Sequence, residues 1–178
     1  GSGLLMMLGV SLFIVYQPKW LEDVLHATPD QVALMFLAGG VANATVAPIA
    51  GRLSDRFGRK GVIVFGSFGV AGLMLIAPGL PSAMWAYPLF FAVMCFAAMR
   101  MSPLNALLTA LVEERYRGTM LSLSMALSQL GFAVGSAISG PIYMQYGFVG
   151  NTSIAALATV MGGLAIAFLV PEPRPAEA

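Results

Sequence analysis

The sequence predicts an all-α, polytopic membrane protein with six transmembrane helices. Hydrophobic residues make up 58% of the chain and charged residues only 10%, whereas a soluble domain carries about 25% charged residues. The charges also cluster, and the apolar stretches between the clusters are long enough for membrane helices of roughly 20 residues each. Helices pair their own backbone groups in lipid, and continuously apolar segments disfavour an alternating β-barrel.

The predicted helices cover residues 3–25, 30–52, 60–79, 84–112, 118–143 and 150–170, and residues 171–178 form a tail in a single six-helix bundle. We expect Thr28 to cap the second helix and Pro29 to occupy its first turn. Pro18 and Pro103 are expected to kink the first and fourth helices. The opening Gly1-Ser2-Gly3, without an initiator Met, is typical of a cut or a cloning remnant.

Basic residues collect on one predicted side of the membrane. Four lie within 52–60, and Arg115 and Arg117 lie before the fifth helix, whereas Lys19 is the only basic residue on the opposite side. Because cytoplasmic loops carry an excess of Lys and Arg, we expect both loops and the C-terminus in the cytoplasm. The expected location is the bacterial inner membrane.

A weak internal repeat occurs at a spacing of 89 residues. The pattern of residues 49–58, which ends in Phe57-Gly58, recurs in residues 138–147, which end in Tyr146-Gly147. The first copy ends a helix on the predicted cytoplasmic side and the second on the outer side. This opposite placement predicts two three-helix repeats of inverted topology.

The stretch Gly51-Arg52-Leu53-Ser54-Asp55-Arg56-Phe57-Gly58-Arg59-Lys60 resembles the loop signature of the major facilitator superfamily, a class of secondary transporters. Residues 115–118 and 131–140 resemble the superfamily more loosely. The resemblance implies one six-helix half of a twelve-helix transporter. The C-terminal half of an efflux-type permease is preferred, because residues 100–118 look like that part of such proteins.

In the superfamily this loop acts as a latch that holds one conformation. The resemblance, with the neighbouring charges, assigns the latch to Gly51, Asp55, Arg56, Gly58, Arg59, Glu113, Glu114 and Arg117. The two arginines can clamp carboxylates bidentately, and the nearest supply is the glutamate pair. The alternative is a solvated basic loop that only fixes topology, since surface ion pairs contribute little.

Arg100 is predicted to lie near mid-membrane, about 20 Å along the helix from Glu113. A charge there is costly and usually faces a cavity or a partner; the alternative is snorkelling or a structural bond. Polar residues on other helices suggest a weakly polar substrate cavity with the candidates Arg100, Asn43, Ser102, Asn105, Gln129 and Gln17. Each of the polar residues alone is more often interhelical glue, and the twelve Met residues, which could line an adaptable pocket, are more often ordinary packing.

The predicted function is secondary active transport of a small molecule by alternating access, with proton-coupled efflux of drugs or sugars as the expected form. The expected partners are the lipid bilayer, the substrate, and either a missing six-helix half or a second copy of the chain. The alternatives are a self-pairing homodimeric transporter and a channel or structural membrane subunit. The sequence holds one His and one Cys and no catalytic set, so no enzyme, metal, cofactor or nucleic-acid partner is predicted.

Overall fold

A computed structural model describes residues 2–110 and 112–170, and over these residues the regular structure is helical. The long helices are α1 (Ser2–Ile14), α2 (Gln17–Leu25), α3 (Pro29–Phe57), α4 (Arg59–Ile76), α5 (Ala83–Ala110) and α6 (Arg117–Leu169). Counting α1 with α2, five helical segments of the described chain are long and apolar enough to cross a membrane. The predicted all-α membrane fold is confirmed, and the predicted tail 171–178 lies outside the described residues.

The first predicted helix is interrupted just before Pro18. Pro18 has no backbone N–H and cannot donate to the carbonyl of Ile14, and α1 ends at Ile14 before α2 begins at Gln17. The predicted cap of the next helix is present. The Thr28 hydroxyl accepts from Gln31 N–H at 3.4 Å, and the Gln31 side-chain oxygen accepts from Thr28 N–H at 2.9 Å.

The charged stretch 52–60 is not a loop, which corrects the sequence interpretation. Helix α3 continues past the predicted end at residue 52 as far as Phe57, and α4 begins at Arg59. The single residue between them, Gly58, has φ 89°, a conformation that other residues adopt only at a cost. Because one glycine makes the connection, the signature residues on both sides of it can remain helical.

The 53-residue helix α6 contains a second break, at Gly147 (φ 64°). Its two arms, 117–146 and 148–169, pack along α1 in opposite directions. Gly131 and Gly140 lie beside Leu4 and Tyr16, so the first arm runs parallel to α1.

In the second arm the order along α1 is inverted. Thr159 lies beside Gly9, and Gly162 lies beside Met6, so this arm runs antiparallel to α1. The chain therefore reverses direction at Gly147. The number of membrane crossings stays a prediction.

The two breaks occupy equivalent positions in the internal repeat. Gly58 and Gly147 close the two copies, and they are the glycines with positive φ in the described chain. The packing is equivalent as well. Helix α3 lies parallel to α5, with Gly39 against Phe90 and Gly51 beside Ser102, just as the first arm of α6 lies parallel to α1. The middle helix of each repeat thus packs on the first helix of the other, as inverted repeats require.

Close backbone approach holds the pair formed by α1 and α6. A Cβ atom added at Gly131 would collide with the Leu4 carbonyl, and one at Gly135 would collide with the Ser11 hydroxyl and lie 2.7 Å from the Leu8 carbonyl oxygen. Small residues of this kind bring membrane helices into van der Waals contact, because lipid provides no hydrophobic force between helices.

We expect Gly135→Ala to destabilise the protein. The added methyl group has no room between α1 and α6, and overpacking of this kind costs about 1–3 kcal/mol. The measurement is the midpoint of thermal unfolding of the purified full-length gene product in detergent. Gly72→Ala is the matched control, because nothing lies within 4 Å of a Cβ at that helical glycine. An equal change in both midpoints would contradict the close-contact interpretation.

Candidate functional site

The signature between α3 and α4 divides into buried packing residues and exposed charges. Ser54 is buried and its hydroxyl donates to the Gly51 carbonyl at 2.7 Å. Gly51 itself faces Ser102 of α5, which a Cβ would approach to 3.5 Å. In the next turn of the helix, Asp55 and Arg56 are exposed. The small residues therefore hold α3 against α5, while two charges of the signature remain at the surface.

Basic residues at the start of α4 bind the ends of two other helices. The Arg59 guanidinium donates to the Ala106 carbonyl in the last turns of α5 at 2.9 Å. The Lys60 ammonium donates to the Ala167 carbonyl near the end of α6 at 3.3 Å. Both carbonyls lie near a helix C-terminus, where the helix dipole has its negative end, and the Ala106 carbonyl also accepts from the Thr109 hydroxyl at 3.0 Å. Lys60 was not among the predicted site residues. Its position next to Arg59, at the start of a predicted helix, could have indicated that it belongs with them.

The expected clamp between the arginines and the glutamate pair is not seen in the described residues. Within 2–110 and 112–170 the ion pairs are Lys19–Asp23, at 2.9 Å, and Arg59–Asp55, at 3.5 Å. Glu113 and Glu114 are exposed and contribute to neither pair. Arg59 takes a carbonyl partner because that acceptor lies within reach inside the bundle.

The other charged residues of the predicted latch remain on the surface. The Arg56 guanidinium lies 5.9 Å from the centre of the Phe57 ring. Arg117 begins α6 and is exposed. The conformational role of the latch stays a prediction. Its exposed charges include Arg56 and Asp55, whose side chain is 65% exposed and pairs with Arg59.

Arg100 lies inside the bundle and is 0% exposed. Gly66 of α4 leaves the room for it, since a Cβ there would lie 3.3 Å from the Cβ of Arg100. None of its three guanidinium nitrogens forms a hydrogen bond with any part of the chain that the structure describes. A buried charge without a partner is strongly unfavourable.

Arg100 is among the residues that line a cavity of about 140 Å³ between α1, α3, α4 and α5. Asn43 is the other polar side chain on its wall, and apolar residues form the rest. Four of those are methionines: Met7, Met74, Met94 and Met101. A wider groove of about 430 Å³ between α1, α3 and α5 shares Ile14, Asn43 and Met94 with this cavity. The groove therefore meets the cavity at Asn43.

The structure does not bring the remaining cavity candidates to this place. Ser102 faces Gly51, Asn105 and Gln129 are exposed, and Gln17 is buried in α2. Only Arg100 and Asn43, of the six predicted residues, share the cavity. Ser102 and Asn105 are on the same helix as Arg100 but point in other directions, because they lie two and five positions after it and each residue turns the helix by 100°.

Sequence reasoning missed two buried polar residues on the second arm of α6. Asn151 and Thr159 are both 0% exposed, and their side-chain polar atoms lack a hydrogen-bond partner within the described ranges. Thr159 lies against Gly9 of α1. The only available signal was a polar side chain inside an apolar run.

Comparison with known proteins decides the family. The model of the Major Facilitator Superfamily matches residues 1–178. This chain belongs to the major facilitator superfamily. With its apolar helices, that membership makes it an integral membrane protein.

Relatives in the superfamily are transporters by name, not enzymes. The uncharacterized MFS-type transporter YwfA of Bacillus subtilis is 25% identical over 88% of this chain and 38% of its own length. The glucose facilitated diffusion protein of Zymomonas mobilis is 25% identical over 94% of this chain and 38% of its own. The proline/betaine transporter of Salmonella typhimurium is 27% identical over 67% of this chain and 25% of its own. The chain thus spans less than two fifths of the length of each of these three relatives.

We expect Asp55→Asn to reduce transport by the full-length protein about 5-fold or more, the usual range for conformational coupling, without a matching loss of expression. The exposed pair of Asp55 with Arg59 contributes only about 0–1 kcal/mol to stability. A loss of transport as large as 5-fold would therefore indicate that Asp55 makes a further contact during the transport cycle. The measurement is initial transport rate normalised to the amount of protein in the membrane.

Asp23→Asn is the matched control for this substitution. Asp23 forms an exposed ion pair with Lys19 at the same four-residue spacing, and it lies outside the signature. Unchanged transport in Asp55→Asn, or an equal loss in both variants, would remove the latch role from Asp55.

Proposed function

We propose that this chain forms one helical bundle of a secondary transporter that moves a small solute across the membrane by alternating access. The observation that carries the proposal is the interlocked pair of three-helix units, whose breaks at Gly58 and Gly147 are equivalent. Inverted repeats of this kind surround the substrate sites of secondary transporters. The groove and cavity beside Asn43 supply a site at membrane depth.

The rest of the transporter is proposed to be a second bundle. The first two relatives described above are more than twice as long as the part that this chain matches. Exposed apolar side chains on α3, including Leu34, Leu37 and Val41, leave a surface for a second bundle or for lipid. In the proposed arrangement the two bundles rock against each other, with the groove between them.

More specifically, we propose that the transporter exports its solute and that this export is coupled to protons. A proton-coupled carrier needs a titratable group at membrane depth. The carboxylates of the described chain lie at helix ends or in connections, at Glu22, Asp23, Asp30, Asp55, Glu113 and Glu114. The coupling carboxylate is therefore assigned to the other bundle. The proposed setting is the bacterial inner membrane, with the basic start of α4 facing the cytoplasm.

The two alternatives to this proposal are a homodimeric transporter and a channel or structural membrane subunit. Two copies of the chain could pair to form the transporter, in which case the mass of the native gene product would match this chain. A channel or structural subunit would give flux without saturation, or no flux. The length of the relatives favours a second bundle in the same chain over the pairing of two copies, and the names of the relatives favour a transporter over a channel or structural subunit.

The test is counterflow in liposomes that contain the full-length gene product. The probes are radiolabelled glucose, proline, betaine and a set of amphipathic drugs. We expect at least one probe to saturate, and we expect unlabelled probe on the far side to accelerate its entry, because an alternating-access carrier exchanges bound solute across the membrane and a channel does not. A pH gradient should change the rate of a proton-coupled carrier.

Protein-free liposomes and liposomes with the Gly135→Ala protein serve as controls for leakage and for folding. Linear flux without acceleration would identify a channel. No flux of any probe by a well-folded, monodisperse protein would contradict the transporter proposal.

A further inference from the structure

We propose that the cavity beside Arg100 binds a small monocarboxylate with an aliphatic body. The carboxylate would pair with the guanidinium, and the aliphatic part would lie against the methionines. As a statement about transport this rests on the proposed function, since the bound acid would be the solute carried. As a statement about binding it stands on the cavity alone.

The charge of Arg100 selects an anion. Its side chain is fully buried, and its nitrogens lack protein hydrogen bonds throughout residues 2–110 and 112–170. No carboxylate from the described part of the chain borders the cavity. A planar guanidinium matches a carboxylate with two parallel hydrogen bonds, which a spherical inorganic ion cannot reproduce. An incoming carboxylate would therefore supply the partner that the fold does not.

The walls of the cavity select an apolar body. Apart from Arg100 and Asn43, the lining is aliphatic, aromatic or thioether. Methionine side chains are flexible and polarisable, and they adapt to ligands of varied shape. A sugar would leave several hydroxyl groups unpaired against such walls, which is unfavourable. The lining thus favours a hydrocarbon chain over a polyol.

The size of the cavity limits the ligand. An apolar cavity of about 150 Å³ holds a molecule the size of benzene, with six non-hydrogen atoms. The cavity here is of similar volume, about 140 Å³. Butyrate, with six non-hydrogen atoms, matches that size, and butyramide is its uncharged counterpart of equal shape.

The route to the cavity passes Asn43. This side chain borders both the cavity and the wider groove, and it is half-buried. Gly40, one helical turn earlier on the groove wall, has open space around it. The amide of Asn43 can donate a hydrogen bond to a carboxylate that moves from the groove toward Arg100.

The test is a thermal-unfolding titration of the purified full-length gene product in detergent at constant ionic strength. Sodium butyrate, butyramide and sodium chloride are the three probes. We expect butyrate to raise the unfolding midpoint by about 3 °C or more at saturation. Butyramide and chloride are expected to leave it unchanged.

The variant Arg100→Met separates a binding role from a structural one. It removes the unpaired buried charge at similar volume, so the protein without ligand should be at least as stable as the wild type. The butyrate response should disappear. A large loss of stability without ligand would return Arg100 to a structural role, and a retained butyrate response would place the site elsewhere.

If Arg100→Met does not fold, Arg100→Lys provides a second test of the binding role. It preserves the charge and loses the two-bond geometry, so the butyrate response should weaken while a response to chloride stays absent. Equal responses of the wild type to butyrate and chloride, or to butyrate and butyramide, would overturn the proposal.

The outcome is independent of the transport assay. Counterflow of another probe without a butyrate response would leave the transporter proposal intact and reject the carboxylate pocket. If the protein transports no probe but responds to butyrate, and Arg100→Met abolishes that response, the carboxylate pocket is supported and the transporter proposal is rejected.

Discussion

Direct contact between helix backbones is the constraint on which the rest of this fold depends. In hydrocarbon, apolar side chains gain nothing by leaving lipid for one another, so helices associate through close packing and polar contacts. Gly131 and Gly135 provide that contact by placing α6 against the backbone of α1. The pair of α3 and α5 repeats the arrangement, with Gly39 against Phe90. Each unit of three helices is thereby held by a helix of the other unit.

This interlocking explains how charges are distributed through the molecule. Arg59 and Lys60 bind carbonyls near the ends of α5 and α6, so the basic start of α4 joins elements from both units. Asp55 and Arg56 stay exposed and are available to a surface beyond this bundle. Among the described residues, Arg100 is the charged residue that lies buried, and it lines a cavity whose other walls are mainly apolar. The basic residues that bind the bundle, Arg59 and Lys60, are therefore distinct from the exposed Arg56, while Asp55 pairs with Arg59 at the surface.

The class of the fold and several helix ends could be predicted from the sequence, because they depend on local chemistry. Pro18 interrupts the first helix, and Thr28 and Gln31 form the predicted capping box. The extent of α3 could not be predicted, since hydropathy falls at Arg52 while the helix continues to Phe57. A charged helix end and a loop have the same composition, and only the backbone of Gly58 distinguishes them.

The candidate site could be predicted in part. Arg100 and Asn43 were found because polar groups at membrane depth are rare, and both border the cavity. Ser102, Asn105, Gln129 and Gln17 do not, because depth along the membrane says nothing about the direction in which a side chain points. Packing between α4 and α5 at Gly66 fixes that direction for Arg100, and no pattern in the sequence reveals it.

The most direct test of the inverted arrangement is labelling from one side of the membrane. Arg56 and Gln145 occupy equivalent positions of the two repeats and are both exposed. In a cysteine-free version of the full-length protein, each is replaced by cysteine and intact cells are treated with a membrane-impermeant maleimide. The account predicts that Gln145→Cys is labelled from outside and that Arg56→Cys is labelled only after the cells are opened. Labelling of both from the same side would contradict it.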